Sequence, residues 1–166
     1  INPLQTNQLA DNIPDTMRSP FGRKRIRGKI DLERGAIWGD RDLLLSLLYN
    51  LLDNAVKAVE EGGFILMKGR KLPQGYEIKV VDNGRGIPQE EIARITEAFY
   101  MVDKSRSRKE GGAGIGMALC QKIITLHQGE LKIDSKLGEG TVMRLYFPGE
   151  IHAVKNKSNR GAKGGI

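Results

Sequence analysis

Two glycine-containing loops constrain the fold of this 166-residue chain more than any other feature. The first, Asp82 to Pro88, follows a strand-like run and begins with an acidic residue, whereas the second, Gly111 to Gly116, opens a helix-like run. Glycine lets backbone amides approach a ligand closely, and the free N–H groups at the start of a helix favour phosphate. Together the two loops indicate a nucleotide site.

Composition limits the remaining possibilities. The 39% hydrophobic content fits one globular domain. The net charge of +7 is concentrated in three segments, residues 18–29, 104–109 and 155–163. The first has only Phe21 and Ile26 among its charges and lacks the interleaved aromatic residues of a base-stacking surface, so we expect no nucleic-acid binding. The single cysteine, Cys120, suits a reducing compartment such as the cytoplasm. No apolar run is long enough to cross a bilayer, and any membrane attachment is expected only through missing parts of a longer protein.

The chain divides by pattern into three parts. Residues 1–28 contain three prolines without a sustained period and are interpreted as a linker or the remains of an upstream segment. Residues 29–149 form the predicted domain, and residues 150–166 are predicted to be a flexible basic tail. We expect the isolated fragment to be monomeric.

Periodicity within the domain predicts two short strands around Arg34-Gly35 and then a helix from about Arg41 to Glu60, capped by Asp40. A strand pair, a short helix after Pro88 and a mobile glycine-rich loop over residues 102–112 follow. A helix ending at His127 and a final strand pair complete the order. This order predicts an α/β (α+β) two-layer sandwich, with a mixed sheet covered on one face by about three helices.

The first long helix carries Asn50, Asn54 and Lys57 on one face, opposite its leucine stripe. This spacing is also that of an ordinary solvated face. Beside two glycine loops, however, an Asn oxygen is a suitable Mg²⁺ ligand and Lys57 can meet phosphate charge. Asp82 is either a polar strand end or an acceptor for an exocyclic amine. His127 is interpreted as a helix-end residue and not as a phosphoryl acceptor.

Five motifs in order resemble those of the ATP-binding catalytic domain of sensor histidine kinases, within the GHKL (Bergerat-fold) superfamily. The N box is similar to Leu48–Lys57, the first glycine box to Val81–Pro88 and the F box to Glu97–Tyr100. The second and third glycine boxes are similar to Gly112–Met117 and Gly138–Thr141. The chain departs from the common pattern at Ala58, where many members carry an aromatic residue or histidine, and at Ile115 and Met117, which replace the usual leucines.

The resemblance implies that ATP lies between the N-box helix and a flexible lid. Asn54 would ligate Mg²⁺ with support from Asn50, and Lys57 would lie near phosphate. Asp82 would bind the adenine amino group, helped by Thr141 through water. The other nucleotide contacts that the resemblance implies are Gly84, Gly86, Ile87, Phe99, Lys104, Arg106, Gly112, Gly114, Ile115 and Gly116.

The predicted function is therefore that of a histidine kinase catalytic domain that transfers the γ-phosphate of Mg·ATP to a histidine on a separate dimerisation domain, and so acts on a response regulator indirectly. The alternatives are a GHKL ATPase, an anti-sigma-type serine kinase and a degenerate ATP-binding interaction domain. ATPase relatives usually carry Glu at the position of Asn50, where a carboxylate can activate water, and Asn cannot act as that base.

Overall fold

The computed structural model describes residues 2–13, 25–92, 94 and 115–149. Its helices are α1 (Thr6–Asp11), α2 (Arg41–Ala58), α3 (Gln89–Ile92) and α4 (Ile115–Leu126). Its strands are β1 (Asn2–Gln5), β2 (Arg27–Leu32), β3 (Ala36–Gly39), β4 (Phe64–Leu72), β5 (Gly75–Asp82), β6 (Glu130–Lys136) and β7 (Gly140–Pro148).

The main sheet has five strands in the order β2-β4-β5-β7-β6. Strands β2 and β4 are parallel, and the other three neighbouring pairs are antiparallel. The predicted mixed sheet is thus confirmed, together with both predicted strand pairs. The pairing of β5 with β7 sets Asp82 opposite Thr141, which brings the first and third glycine motifs to the same edge of the sheet.

Helix α2 begins as its sequence predicts. The Asp40 side chain accepts a hydrogen bond of 3.0 Å from the Leu43 backbone N–H, which satisfies one of the free donors of the first turn. The helix ends at Ala58, two residues before the predicted end, because Val59 adopts an extended conformation. The leucine stripe is buried against the sheet as expected, at Leu44, Leu48, Leu51 and Leu52.

The core lies between α2, α4 and one face of the main sheet. Burial alternates along strand β5: Tyr76, Ile78 and Val80 are buried, while the residues between them are only partly buried. Among the described residues, the helices therefore cover one face of the sheet and leave the other open, which confirms the two-layer architecture.

The beginning of the chain differs from its linker interpretation. Strand β1 pairs antiparallel with β3 in a small second sheet, so β3 does not pair with β2 although the two are adjacent in sequence. The Thr6 hydroxyl donates to the Glu33 carbonyl oxygen at 2.6 Å, and Leu9 is 2% exposed. Residues 2–13 are thus packed on the domain, and the boundary at residue 28 stays a prediction.

The predicted mobile loop over residues 102–112 and the predicted tail over residues 150–166 lie outside the described residues. Within the described ranges, no helix combines the length and the apolar character needed to cross a membrane.

Candidate functional site

The loop that follows β5 is joined to the end of α2 by backbone contacts. The Arg85 N–H donates to the Ala58 carbonyl oxygen at 3.1 Å, and its guanidinium donates to the Lys57 carbonyl oxygen at 3.0 Å. These bonds satisfy carbonyl groups that the last turn of a helix leaves without partners. The Asp82 loop therefore lies beside the helix turn that follows Asn54.

Asp82 is the one buried carboxyl group among the described residues, with 8% of its surface exposed. Its Oδ1 atom accepts a hydrogen bond of 2.8 Å from the Gly84 backbone N–H. Burial raises the pKa of Asp82, against the lowering effects of the Gly84 hydrogen bond, the Arg85 charge and the Thr141 backbone. A buried acceptor of this kind can recognise a ligand donor in a site from which water is excluded.

Thr141 belongs to a buried hydroxyl network next to Asp82. Its Oγ1 lies 2.7 Å from Ser135 Oγ, which also accepts from the Ile87 N–H at 2.8 Å and donates to the Gly140 carbonyl oxygen at 2.9 Å. Since the Ser135 proton is directed at Gly140, Thr141 donates to Ser135 and keeps its own lone pairs free. Thr141 can therefore accept from water or a ligand, as its predicted role requires.

Three glycines at this edge of the sheet are fixed by backbone packing. A Cβ atom at Gly84 would lie 2.6 Å from the Ala58 carbonyl oxygen, and one at Gly86 would collide with the Lys136 carbonyl oxygen. Gly86 and Gly140 have φ angles of +77° and +115°, which L side chains rarely adopt. The sequence predicted Gly84 and Gly86 as nucleotide contacts, whereas the structure gives a further reason for glycine there, the close approach of the protein's own backbone.

Asn54 reaches from α2 to α4. Its Nδ2 atom donates to the Met117 sulfur at 3.0 Å, so the amide oxygen is turned away from that sulfur. The amide of Asn50 instead donates to the Ser46 carbonyl oxygen of its own helix at 2.8 Å. The two asparagines of the N-box helix are thus held differently, and Asn54 is the one tied to a second element.

Lys57 forms an ion pair of 2.9 Å with Asp53, one turn earlier on α2. Both side chains are only about one-third exposed or less, at 27% and 35%. The predicted contact of Lys57 with phosphate therefore requires this ammonium group to be shared with Asp53 or released from it.

The described residues fit a magnesium ion bound chiefly by its nucleotide. They contain no cluster of three or more His, Cys, Asp or Glu side chains that could hold a metal by themselves. Mg²⁺ prefers oxygen ligands and retains several waters and phosphate oxygens, so one amide oxygen from the protein is a sufficient contribution. The Asn54 oxygen, oriented through the Met117 contact, has the required chemistry.

His127 makes structural contacts at the end of α4, in agreement with its interpretation as a helix-end residue. It is 2% exposed, its Nδ1 lies 2.7 Å from the Ile123 carbonyl oxygen, and its Nε2 accepts from the Asp40 backbone N–H at 3.0 Å. Both ring nitrogens are therefore engaged, and the ring connects the end of α4 to the start of α2.

The predicted contacts at Phe99, Lys104, Arg106, Gly112 and Gly114 lie outside the described residues, whereas Ile115 and Gly116 begin α4.

Sequence reasoning missed three residues that organise the site. Ser135 joins Thr141 to the Ile87 backbone, Arg85 joins the first glycine loop to α2, and Met117 holds the Asn54 amide. Arg85 lies inside the Asp82 loop and Met117 ends the second glycine box, so both belonged to recognised motifs but had no predicted role. No sequence pattern singles out Ser135, because its importance depends on the register between β6 and β7.

Comparison with known proteins agrees with this geometry. Residues 39–151 match the family described as histidine kinase-, DNA gyrase B- and HSP90-like ATPases. The chain is 34% identical over 148 residues to the adaptive-response sensory kinase SasA of Thermosynechococcus vestitus, a match that covers 87% of this chain and 38% of SasA. The chain therefore spans well under half the length of this relative.

Solved structures show the same fold. Full-length ShkA in complex with AMPPNP superposes with a TM-score of 0.74 and 26% identity, covering 88% of this chain and 30% of ShkA. The mycobacterial sensor histidine kinase MprB superposes with a TM-score of 0.74 and 24% identity, covering 89% of this chain and 96% of the MprB structure. The chain belongs to the family of histidine kinase-, DNA gyrase B- and HSP90-like ATPases, and within that family its named relatives are sensor histidine kinases.

Proposed function

We propose that this chain is the catalytic domain of a sensor histidine kinase, which binds Mg·ATP and donates the γ-phosphate to a histidine on a separate dimerisation domain. The observation that carries the proposal is the junction of α2 with the Asp82 loop. It holds a half-buried amide, Asn54, and a buried carboxylate, Asp82, at the same end of one helix. These groups suit the metal–phosphate end and the base end of one nucleotide.

The adenine end of the site is built from Asp82 and Thr141. The Asp82 carboxylate accepts a hydrogen bond from the exocyclic amino group of adenine, and the free lone pairs of Thr141 accept one from a bridging water. Guanine presents a carbonyl oxygen where adenine presents that amine, so it would face a carboxylate with an acceptor. Selectivity for adenine follows from this mismatch, since an unpaired buried polar group is costly.

The phosphate end is built from Asn54 and Lys57. When bound, Mg²⁺ would neutralise charge on the triphosphate. Asn54 would supply one oxygen ligand, and Lys57 would add a positive charge on the same helix. Phosphoryl transfer depends mainly on positioning and charge stabilisation, so no residue of this domain needs to form a covalent intermediate. The acceptor histidine would come from the partner domain, and the phosphoryl group would later pass to a response regulator.

Hydrolysis by this chain alone is disfavoured at Asn50. An amide cannot take a proton from water, and the Asn50 nitrogen donates a hydrogen bond to the Ser46 carbonyl oxygen.

The buried free thiol of Cys120 supports our placement of the domain in the cytoplasm.

The test is calorimetric titration with a non-hydrolysable ATP analogue, with and without Mg²⁺, and with the matching GTP analogue. We expect saturable, adenine-selective binding that Mg²⁺ strengthens. Asn54→Ala should remove most of the Mg²⁺-dependent gain, a loss of roughly tenfold or about 1.4 kcal/mol, while binding without Mg²⁺ changes little.

The matched control is Asn12→Ala, which removes an exposed amide beside Arg41 at the opposite end of α2. Helix rise places Arg41 about 20 Å from Asn54, so this variant should bind as the parent does. Equal Mg²⁺ dependence in the Asn54 variant and the parent would contradict the metal assignment. The absence of any binding by folded protein would instead indicate a degenerate domain.

A further inference from the structure

The open face of the main sheet carries an unbalanced row of positive charge. Strand register aligns Lys68, Lys79, Arg144 and Lys132 directly opposite one another across β4, β5, β7 and β6. Neighbouring strands lie about 4.8 Å apart, so the row extends about 14 Å across the sheet. We call these four residues the basic row.

Few carboxylates balance the basic row. Arg144 pairs with Asp134, and Asp31 lies next to Lys68 in register at the edge strand. None of the three lysines forms an ion pair within the described part of the chain, and Lys79 has a basic residue on each side. Like charges directly opposite each other in a sheet destabilise it, so this row reduces the stability of the free domain.

Beside the basic row lies a row of apolar residues. Leu66, Val81 and Val142 are aligned across the three central strands and are each only partly buried. This row leads to a shallow, open depression of about 350 Å³ over the paired strands β2 and β4, whose lining includes Arg27, Lys29, Phe64 and Leu66. The open face therefore offers apolar contact and positive charge side by side.

We propose that this face binds an acidic, amphipathic helix of a protein partner. Glutamates three or four positions apart on a helix are separated by about 5–6 Å, which matches the spacing of basic side chains on neighbouring strands. A helix of about 10 Å diameter that crosses the strands would cover both rows, with carboxylates on the lysines and apolar side chains on Leu66 and Val81.

A nucleic acid fits the same face less well. The open face sets an apolar row beside its basic row, and a phosphate backbone would leave that apolar row uncovered. Its aromatic residues, Phe64 and Tyr146, lie on separate strands that are not neighbours, so they form no continuous platform for bases.

The test uses a fluorescein-labelled synthetic helical peptide, with glutamates at three- and four-residue spacing and leucines along the adjoining stripe. Fluorescence anisotropy with the full chain should show saturable binding, which a matched peptide with glutamine for glutamate should lose. Lys79→Glu should weaken peptide binding by roughly tenfold or more, and its thermal midpoint should rise by about 2 °C because repulsion in the basic row is relieved.

The matched control is Lys122→Glu, which makes the same charge change at an exposed lysine of α4 and should leave peptide affinity near that of the parent. Both variants should bind the ATP analogue as the parent does, so a failure of this proposal is distinguishable from a failure of the nucleotide site. Absence of peptide binding, equal loss in both variants, or tighter binding of a single-stranded oligonucleotide that also depends on Lys79 would overturn the proposal.

Discussion

At the scale of single residues, Asp82 has two effects that oppose each other. A carboxylate removed from water reduces the stability of the fold, yet in the proposed function the same group is the acceptor for the adenine amino group. The main compensation that the structure provides is the hydrogen bond from Gly84, whose N–H can approach because that position lacks a side chain. The cost in stability thus falls at the position where we propose that adenine is recognised.

This opposition predicts a pH dependence. The ordinary pKa of Asp82 is 3.8, and burial raises it in the folded state, so the folded protein holds this proton over a range of pH where the unfolded chain has released it. The free energy of unfolding should therefore fall, relative to that of Asp82→Asn, as the pH rises through the raised pKa. Urea unfolding of both proteins at several pH values measures this difference. If the difference in free energy of unfolding between the two proteins did not change with pH, the raised pKa of Asp82 in the folded state would be contradicted.

The same variant separates stability from recognition. With Gly84 donating to Oδ1, an asparagine would direct its amide oxygen to Gly84 and its NH₂ group toward the base. The adenine amino group would then meet a second donor. We expect Asp82→Asn to weaken binding of the ATP analogue by roughly tenfold or more.

At the scale of elements, the first and third glycine motifs are parts of one backbone junction. The Gly138 N–H at the β6–β7 turn donates to the Arg85 carbonyl oxygen at 2.8 Å, and Gly86 packs directly against the Lys136 backbone. The edge of the sheet and the Asp82 loop therefore position each other.

Two alanine substitutions test this junction. Gly86→Ala should reduce the free energy of unfolding by about 3 kcal/mol or more, because it adds a clash with backbone to the strain of a positive φ. Gly138→Ala has a similar φ of +79° but no neighbour within 4 Å, so it should cost only about 1 kcal/mol. Urea unfolding compares the two, and similar losses would indicate that the Lys136 contact is unimportant.

The elements themselves were largely predictable, whereas their contacts were not. The Asp40 cap and the leucine stripe of α2 depend on local chemistry, which the sequence displays directly. The pairing of β1 with β3 and the basic row depend on strand register, which joins residues far apart in the chain. Local patterns carry no information about such partners.

The same distinction holds for the candidate site. Asp82 and Asn54 stood out because they occur within motifs, but the contact of Asn54 with Met117 connects two helices. The importance of Ser135 likewise appears only once β6 and β7 are aligned.

At the scale of the whole molecule, helix α1 belongs to the same core that supports the proposed nucleotide site. Leu9 is 2% exposed and packs within the cluster that contains α2 and the inner face of the sheet. Leu9→Ala should therefore reduce the free energy of unfolding by about 2–4 kcal/mol within a single unfolding transition. Leu137→Ala, at a residue that is 65% exposed, is the matched control and should change it by less than about 0.5 kcal/mol. A loss confined to a separate early transition would show that α1 unfolds independently.

The two bonds that join α4 to α2 have a consequence for how a ligand is received. Apolar packing alone allows helices to slide against each other, but Asn54 is tied to Met117 near one end of the pair and Asp40 to His127 at the other. Because Arg85 also fixes the Asp82 loop to α2, the separation between the proposed base end and the proposed phosphate end is set before a nucleotide binds. This part of the site is preorganised, so little of the binding energy is spent on ordering the protein around its ligand.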